Sequence, residues 1–318
     1  MQVILHIGAH RCATTTFQSY LRTHAAALRD SDGTGFWGPR RTRRGLLNGL
    51  AKGPASTPAS GPLANRDPAA RAAGRVRLNL ARAAQKGIRH LIVSDENIMG
   101  SMRENLALAS LYCGVGERLA RFGAAFDGQI TDVVLNTRAQ DSYWTSVLAY
   151  QLARGRAMPS RGIVERICAS PRTWRDVVSD VACALPDARL HVMPFEAFGG
   201  RPDLQLSLLT GGAAPQDHAR EWRNASLRLP ALREAVCPEV AARLPAGDGR
   251  WMPFDEVQRA ELAEHYADDM MWLTAGADGL AVLARDPMKT RPGQTPAMTD
   301  MTEGRRDEHE TRRLARAR

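Results

Sequence analysis

Three short clusters in this sequence carry side chains suited to chemistry on an anion, and each ends a mostly apolar run. The first is Arg11-Cys12-Ala13-Thr14-Thr15, which follows "VILHIGAH". A guanidinium, two hydroxyls and the amides of a starting helix together suit a phosphate or sulfate. The second is Asp95-Glu96, after "LIVS". A carboxylate there can take a proton or hold a metal ion. The third pairs Arg138, after "VVLNT", with Ser146 eight residues on. Eight residues are about two helical turns, so both side chains can approach one anion from the same side.

These clusters need a scaffold. Strands are expected from Val3, over Ile88–Val93, over Ile130–Arg138 and over Leu190–Phe195, with helical patterns between them at 14–28, 69–86, 102–122, 139–154 and 173–184. Gly87 reads as a helix stop, and the chain to about Arg285 reads as mainly helical. Strands alternating with helices predict an α/β fold with a parallel β-sheet flanked by helices. Ligands of such sheets sit outside the carboxyl ends of the strands. The exits Gly8–Thr15, Ser94–Asn97 and Asn136–Asp141 are therefore expected to face one cleft. Residues 31–68, rich in Gly, Pro, Ser and Arg, read as an irregular insertion with one short helical turn near Leu46–Leu50, suited to a lid or an acceptor loop. One domain is expected over 1–286, followed by a disordered tail over 287–318.

The formal net charge is +9, and all but three of the 43 cationic side chains are arginine. Such a balance favours anionic ligands. Aromatic residues make up only 6% and do not interleave with the basic ones, which argues against nucleic acid as a partner. No apolar run approaches the roughly 18 residues of a membrane span. The N-terminus lacks a basic leader, so a cytoplasmic location is expected. Five cysteines without CxxC spacing suggest neither a disulfide framework nor a zinc site. Four of them read as buried small hydrophobes, and Cys12 stands apart because it lies in the first loop.

The first loop differs from the ATP-binding pattern GxxxxGK[ST], because Ala13 replaces the second glycine and Thr14 the lysine. "RCATT" instead resembles the first loop of sulfotransferases that use 3′-phosphoadenosine 5′-phosphosulfate (PAPS), commonly K-[ST]-G-T-[ST]. It departs from that loop with Arg for Lys, Cys for Ser and Ala for Gly. "TRAQDSYWTS" resembles the same family's 3′-phosphate segment, an arginine at a strand exit followed eight residues later by a serine. The resemblance implies a P-loop NTPase-like sulfotransferase architecture and in-line transfer of a sulfuryl group from PAPS to a hydroxyl or amine, with no metal required. Arg11 would then stand in for the catalytic lysine, and Arg11, Cys12, Ala13, Thr14 and Thr15 would wrap the 5′-phosphosulfate. Arg138 and Ser146 would hold the 3′-phosphate, and Glu96 would be the base.

Alternatives accompany this reading. Asp95 serves equally as the base or as a cap of the following turn. "LIVSDEN" also resembles a Walker B strand, so a P-loop kinase or NTPase using Asp95, Glu96 and Mg²⁺ remains open, as does a non-catalytic nucleotide-binding protein. His6 alternates with strand residues and reads as a core histidine; His10 could donate to a sulfonate. The run "PRRTRRG" at 39–45 reads as a solvated face or as a contact for an acidic acceptor. Arg223, Asn224 and Ser226 resemble a segment folded back over nucleotide, and Tyr143 and Trp144 read as core. The acceptor class is left open among carbohydrate, lipid head group, peptide and small metabolite.

Overall fold

A computed structural model describes residues 1–50 and 68–287. Residues 1–284 form one compact unit. The tail expected beyond Pro287, and residues 51–67 of the expected insertion, lie outside the described residues.

Six strands form one all-parallel sheet in the order β2-β3-β1-β4-β5-β6. They are β1 (Gln2–His6), β2 (Thr34–Trp37), β3 (His90–Ser94), β4 (Asp132–Thr137), β5 (Arg189–Pro194) and β6 (Val282–Leu283). The fold is the α/β architecture that the alternation predicts. β1 lies between β3 and β4, with His6 opposite Ser94 on one side and Val134 on the other. Strands are added on one side of β1 before β4 and on the other from β4 onward. This reversal opens a crevice at the carboxyl end of β1.

The strands are apolar because both faces of the sheet are covered. Val3, Leu5, Leu91, Val93, Val133 and Leu135 point into the larger core, under helices Pro68–Gln85, Val115–Phe126, Gln140–Leu152 and Trp174–Ala184. Ile4, Ile92, Val134 and Met193 point the other way, onto Phe17, Tyr20 and Leu21 of α1 (Thr14–Thr23). Tyr143 and Trp144 are fully buried in the larger core, as their positions suggested.

The sequence reading needs correction at several places. Thr34–Trp37, expected to be irregular, is strand β2 at the sheet edge. Gly35 permits this pairing, since a Cβ there would stand 3.1 Å from Ile88. A kinked helical segment, Thr42–Leu46, leads into a hydrogen-bonded turn over 47–50, where one short helical turn was expected. The helix expected over 102–122 is two helices, Met102–Leu108 and Val115–Phe126, broken by left-handed Ala109 and Tyr112. The first helix likewise divides at His24. Residues 211–228, in a stretch expected to be mainly helical, contain no helix.

Candidate functional site

The loop from β1 to α1 is built from left-handed residues. Gly8, Arg11 and Ala13 have φ of 42°, 64° and 61°. A Cβ on Gly8 would stand 2.7 Å from the Thr14 hydroxyl oxygen, so only glycine fits. Thr14 closes the loop by donating its hydroxyl to the Ala9 carbonyl at 3.1 Å. Helix α1 has no side-chain cap, so its first-turn amides lack a capping partner beside the exposed Thr15.

Arg11, which the resemblance puts in the place of a catalytic lysine, turns toward the helix after β4. Its Nε donates to Ser146 Oγ at 2.9 Å and a terminal nitrogen donates to Ser226 Oγ at 3.0 Å, while the guanidinium stacks over Tyr150. Ser146 and Ser226 hydroxyls are themselves 2.7 Å apart. Arg138 approaches from the exit of β4, donating to the Arg11 carbonyl at 2.9 Å and lying over the Phe195 ring. The structure thus joins the two sequence clusters into one, with the Arg11 side chain on the Arg138–Ser146 side.

Arg138 is 6% exposed, its Nε has no partner, and Thr145 Oγ1 is also buried without one. Neither Arg11 nor Arg138 has a carboxylate within 4.0 Å among the described residues. Burial, then the neighbouring Arg138 charge, pulls the Arg11 guanidinium down to about 10; burial lowers Arg138 too. Arg138 is buried and Arg11 half-buried, with no carboxylate in contact with either, an arrangement that is costly unless an anion completes it. Beside them lies a cavity of about 50 Å³ whose walls include Arg138, Ser142, Thr145, Ser146, Ser226 and Arg250. That is larger than the ~30 Å³ share of one liquid water.

The 219–228 segment forms the outer wall. Thr16 Oγ1 accepts from the Arg223 amide at 3.0 Å, and this contact brings Ser226 to Arg11. Asn224 takes a left-handed turn, with φ of 61°, and makes no hydrogen bond to the loop among the described residues.

At the exit of β3 the two acids have different partners. Asp95 is 3% exposed and accepts from Thr42 Oγ1 at 2.6 Å, from Arg43 at 2.6 Å and from the Asn97 amide at 3.1 Å. It caps the turn Glu96–Ile98. Its oxygens are taken, and it is poorly placed to ligate a metal or receive a proton. Glu96 accepts from Gln18 at 3.0 Å and from Arg43 at 2.9 Å. Burial pushes its carboxyl up, but the Arg43 charge and the Gln18 hydrogen bond outweigh this and hold it below the ordinary value. Arg43 was legible only as part of an arginine run, with no sign of its acidic partners.

The flanking histidines are structural in contact. His6 is fully buried between Ser94 Oγ at 2.7 Å and Asn136 Oδ1 at 2.8 Å, and burial lowers it to about 4. His10 is anchored by the Tyr112 hydroxyl, which meets its backbone amide and its ring, each at 2.9 Å. Burial pushes the Cys12 thiol up to about 12, which rules it out as a neutral-pH nucleophile.

A larger open hollow of about 520 Å³ lies at the amino ends of the strands, around Gln2, Asp132 and Arg189. Of its two acids, Asp132 is already bonded by Gln2, Thr131 and His191, and Arg189 is the one cation among its lining residues. Among the described residues no group of three metal-ligating side chains comes together, and no helix is long and apolar enough to cross a membrane. No family model, curated protein or solved structure matches this chain.

Proposed function

We propose that the protein is a sulfotransferase that moves a sulfuryl group from PAPS to a hydroxyl or amine acceptor, leaving adenosine 3′,5′-bisphosphate. The observation that carries this reading is the juxtaposition of half-buried Arg11, which donates to Ser146 and Ser226, with buried Arg138, which lines a small cavity with the same two serines; neither guanidinium has a carboxylate partner among the described residues. A nucleotide with a phosphate at each end suits two anion sites on neighbouring strand exits. The 3′-phosphate would lie with Arg11, Arg138, Ser146 and the unpaired Thr145 hydroxyl. The 5′-phosphate would meet the uncapped amides of Ala13, Thr14 and Thr15, with the Thr15 hydroxyl at the rim, while the Cys12 amide donates to the Ala9 carbonyl at 3.3 Å.

The donor supplies an activated sulfur bonded to a phosphate oxygen. In the transfer, the acceptor oxygen or nitrogen bonds to sulfur as the sulfur–oxygen bond to the phosphate breaks, and that bond's electron pair stays on the phosphate. Glu96 would receive the acceptor's proton. The helix dipole and amides of α1 would stabilise charge growing on the leaving phosphate, a role for which Arg11 is turned away. The Asp95 contacts count against the kinase or NTPase reading, since the strand acid that would hold Mg²⁺ is bonded to Thr42, Arg43 and the Asn97 amide.

The test is Glu96→Gln, assayed for sulfate transfer from PAPS and for bisphosphate binding. Turnover should fall by about 10²–10⁴-fold with binding retained. Undiminished turnover would remove Glu96 from the mechanism. Wild-type protein that binds the bisphosphate but has no turnover with any acceptor would favour a binding protein.

A further inference from the structure

The exit of β3 next to Glu96, where the reading above puts the acceptor, is walled by arginine. Arg40, Arg41, Arg43 and Arg44 are all exposed on the segment after β2. Arg43 meets the two acids. Its neighbours keep their charge uncancelled. Arg41 donates to the Asn79 side-chain carbonyl and stacks over Trp37. Arg118 donates to the Asn97 and Ile98 carbonyls, Arg121 to that of Leu50, and Arg75 to that of Asn48. Carbonyls fix these side chains without neutralising them. Glu104 acts on Arg118 only from a distance. Arg40 and Arg44 have no hydrogen-bond or ion-pair partner among the described residues.

A cationic wall that spans several elements fits a ligand with repeated negative charge rather than a single anion. A nucleic acid would also want exposed aromatic rings for stacking. Trp37 lies buried under Arg41, and among the described residues the only aromatic of the large exposed hydrophobics, Trp222, packs on Phe195 at the exit of β5. An acidic polysaccharide needs no such rings and presents hydroxyls beside its carboxylates.

We infer that the acceptor is an acidic polysaccharide, its anionic groups held by Arg40 and Arg44 and by the arginines fixed around them, with one hydroxyl at Glu96. This rests on the sulfotransferase reading. It also gives Arg43 an alternative partner, since a substrate anion on that guanidinium would release Glu96 to act as a base.

The experiment is calorimetric titration of the full chain with a hyaluronan octasaccharide, which carries carboxylates only, with and without adenosine 3′,5′-bisphosphate. Maltooctaose is the neutral control and oligothymidylate the nucleic-acid control. Hyaluronan should bind and weaken with added salt. Its affinity should drop about tenfold in the double variant Arg40→Ala, Arg44→Ala and recover in the double lysine variant. Maltooctaose should not bind. Absent hyaluronan binding, equal affinity in the alanine variant, or tighter binding of oligothymidylate each overturns the inference. If the bisphosphate still binds in those cases, the sulfotransferase reading stands alone. Hyaluronan binding without bisphosphate binding overturns that reading and the acceptor role together.

Discussion

Arg11 Nε donates to Ser146 Oγ at 2.9 Å, which joins the first loop to the helix after β4 across 135 residues of sequence. The bond brings Arg11 beside Arg138 and draws the two motifs into one cluster. It also turns the cation away from the loop front, where the leaving phosphate of a sulfuryl donor would sit.

A direct consequence concerns which phosphate Arg11 serves. Arg11→Ala should weaken adenosine 3′,5′-bisphosphate by about 10–100-fold, the range for lost charge-assisted hydrogen bonds. ADP, which lacks the 3′-phosphate, should change little. Calorimetry with both nucleotides checks this, and equal loss for the two would return Arg11 to the 5′ end.

The loop backbone carries its own prediction. Ala13 is left-handed, with φ of 61°, where glycine is more comfortable. Ala13→Gly should raise stability by about 1 kcal/mol. Gly8→Ala should lower it by about 1–3 kcal/mol, because its Cβ meets the Thr14 hydroxyl at 2.7 Å. Urea midpoints of the two variants should move in opposite directions.

These loop features show what the sequence discloses and what it hides. The strands β1, β3, β4 and β5 were legible because buried parallel strands are nearly continuous apolar runs. β2 was not: "TGFW" sits among glycines and prolines, and as an edge strand it depends on pairing with β3 rather than on its own pattern. That Arg138 and Ser146 lie together was legible from their eight-residue spacing, and both line one cavity. The partnership of Arg43 with Asp95 and Glu96 was not, since it spans 52 and 53 residues and only tertiary packing makes it. Thr145 and Arg250 were missed for the same reason.

Arg43 should set the pH range of activity. Glu96 is held below its ordinary value by Arg43 and Gln18 against the upward push of burial. Removing the charge in Arg43→Ala leaves burial dominant, so the carboxyl becomes protonated at higher pH. The acid limb of the kcat/KM profile should shift upward, and Arg43→Lys should restore it. An unmoved limb would show that Glu96 is not the titrating base.

His6 should contribute to acid sensitivity of the fold. Its folded value of about 4 lies below the ordinary value of 6.5, so between these the unfolded chain holds the proton. The stabilisation is present above pH 6.5 and is lost as pH falls toward 4, amounting to about 3 kcal/mol. His6→Gln should flatten the dependence of stability on pH across that window. An unchanged slope in urea unfolding would contradict the assignment.

Trp174 positions Arg138 from behind. Its indole nitrogen donates to the Arg138 carbonyl at 2.7 Å, and Asp269 accepts from the Trp174 amide at 3.0 Å. Trp174→Phe should weaken the bisphosphate about fivefold, the size of one neutral hydrogen bond. Binding of ADP in the same variant should hold, which a general loss of folding would not allow.

The central claim is that Arg138 and its neighbours form a 3′-phosphate site. The most direct test is calorimetric titration of wild type and Arg138→Ala with adenosine 3′,5′-bisphosphate, against ADP with Mg²⁺. The account predicts micromolar binding of the bisphosphate by wild type, lost in the variant and not matched by Mg-ADP. Binding of Mg-ADP alone, or bisphosphate binding indifferent to Arg138, would contradict it.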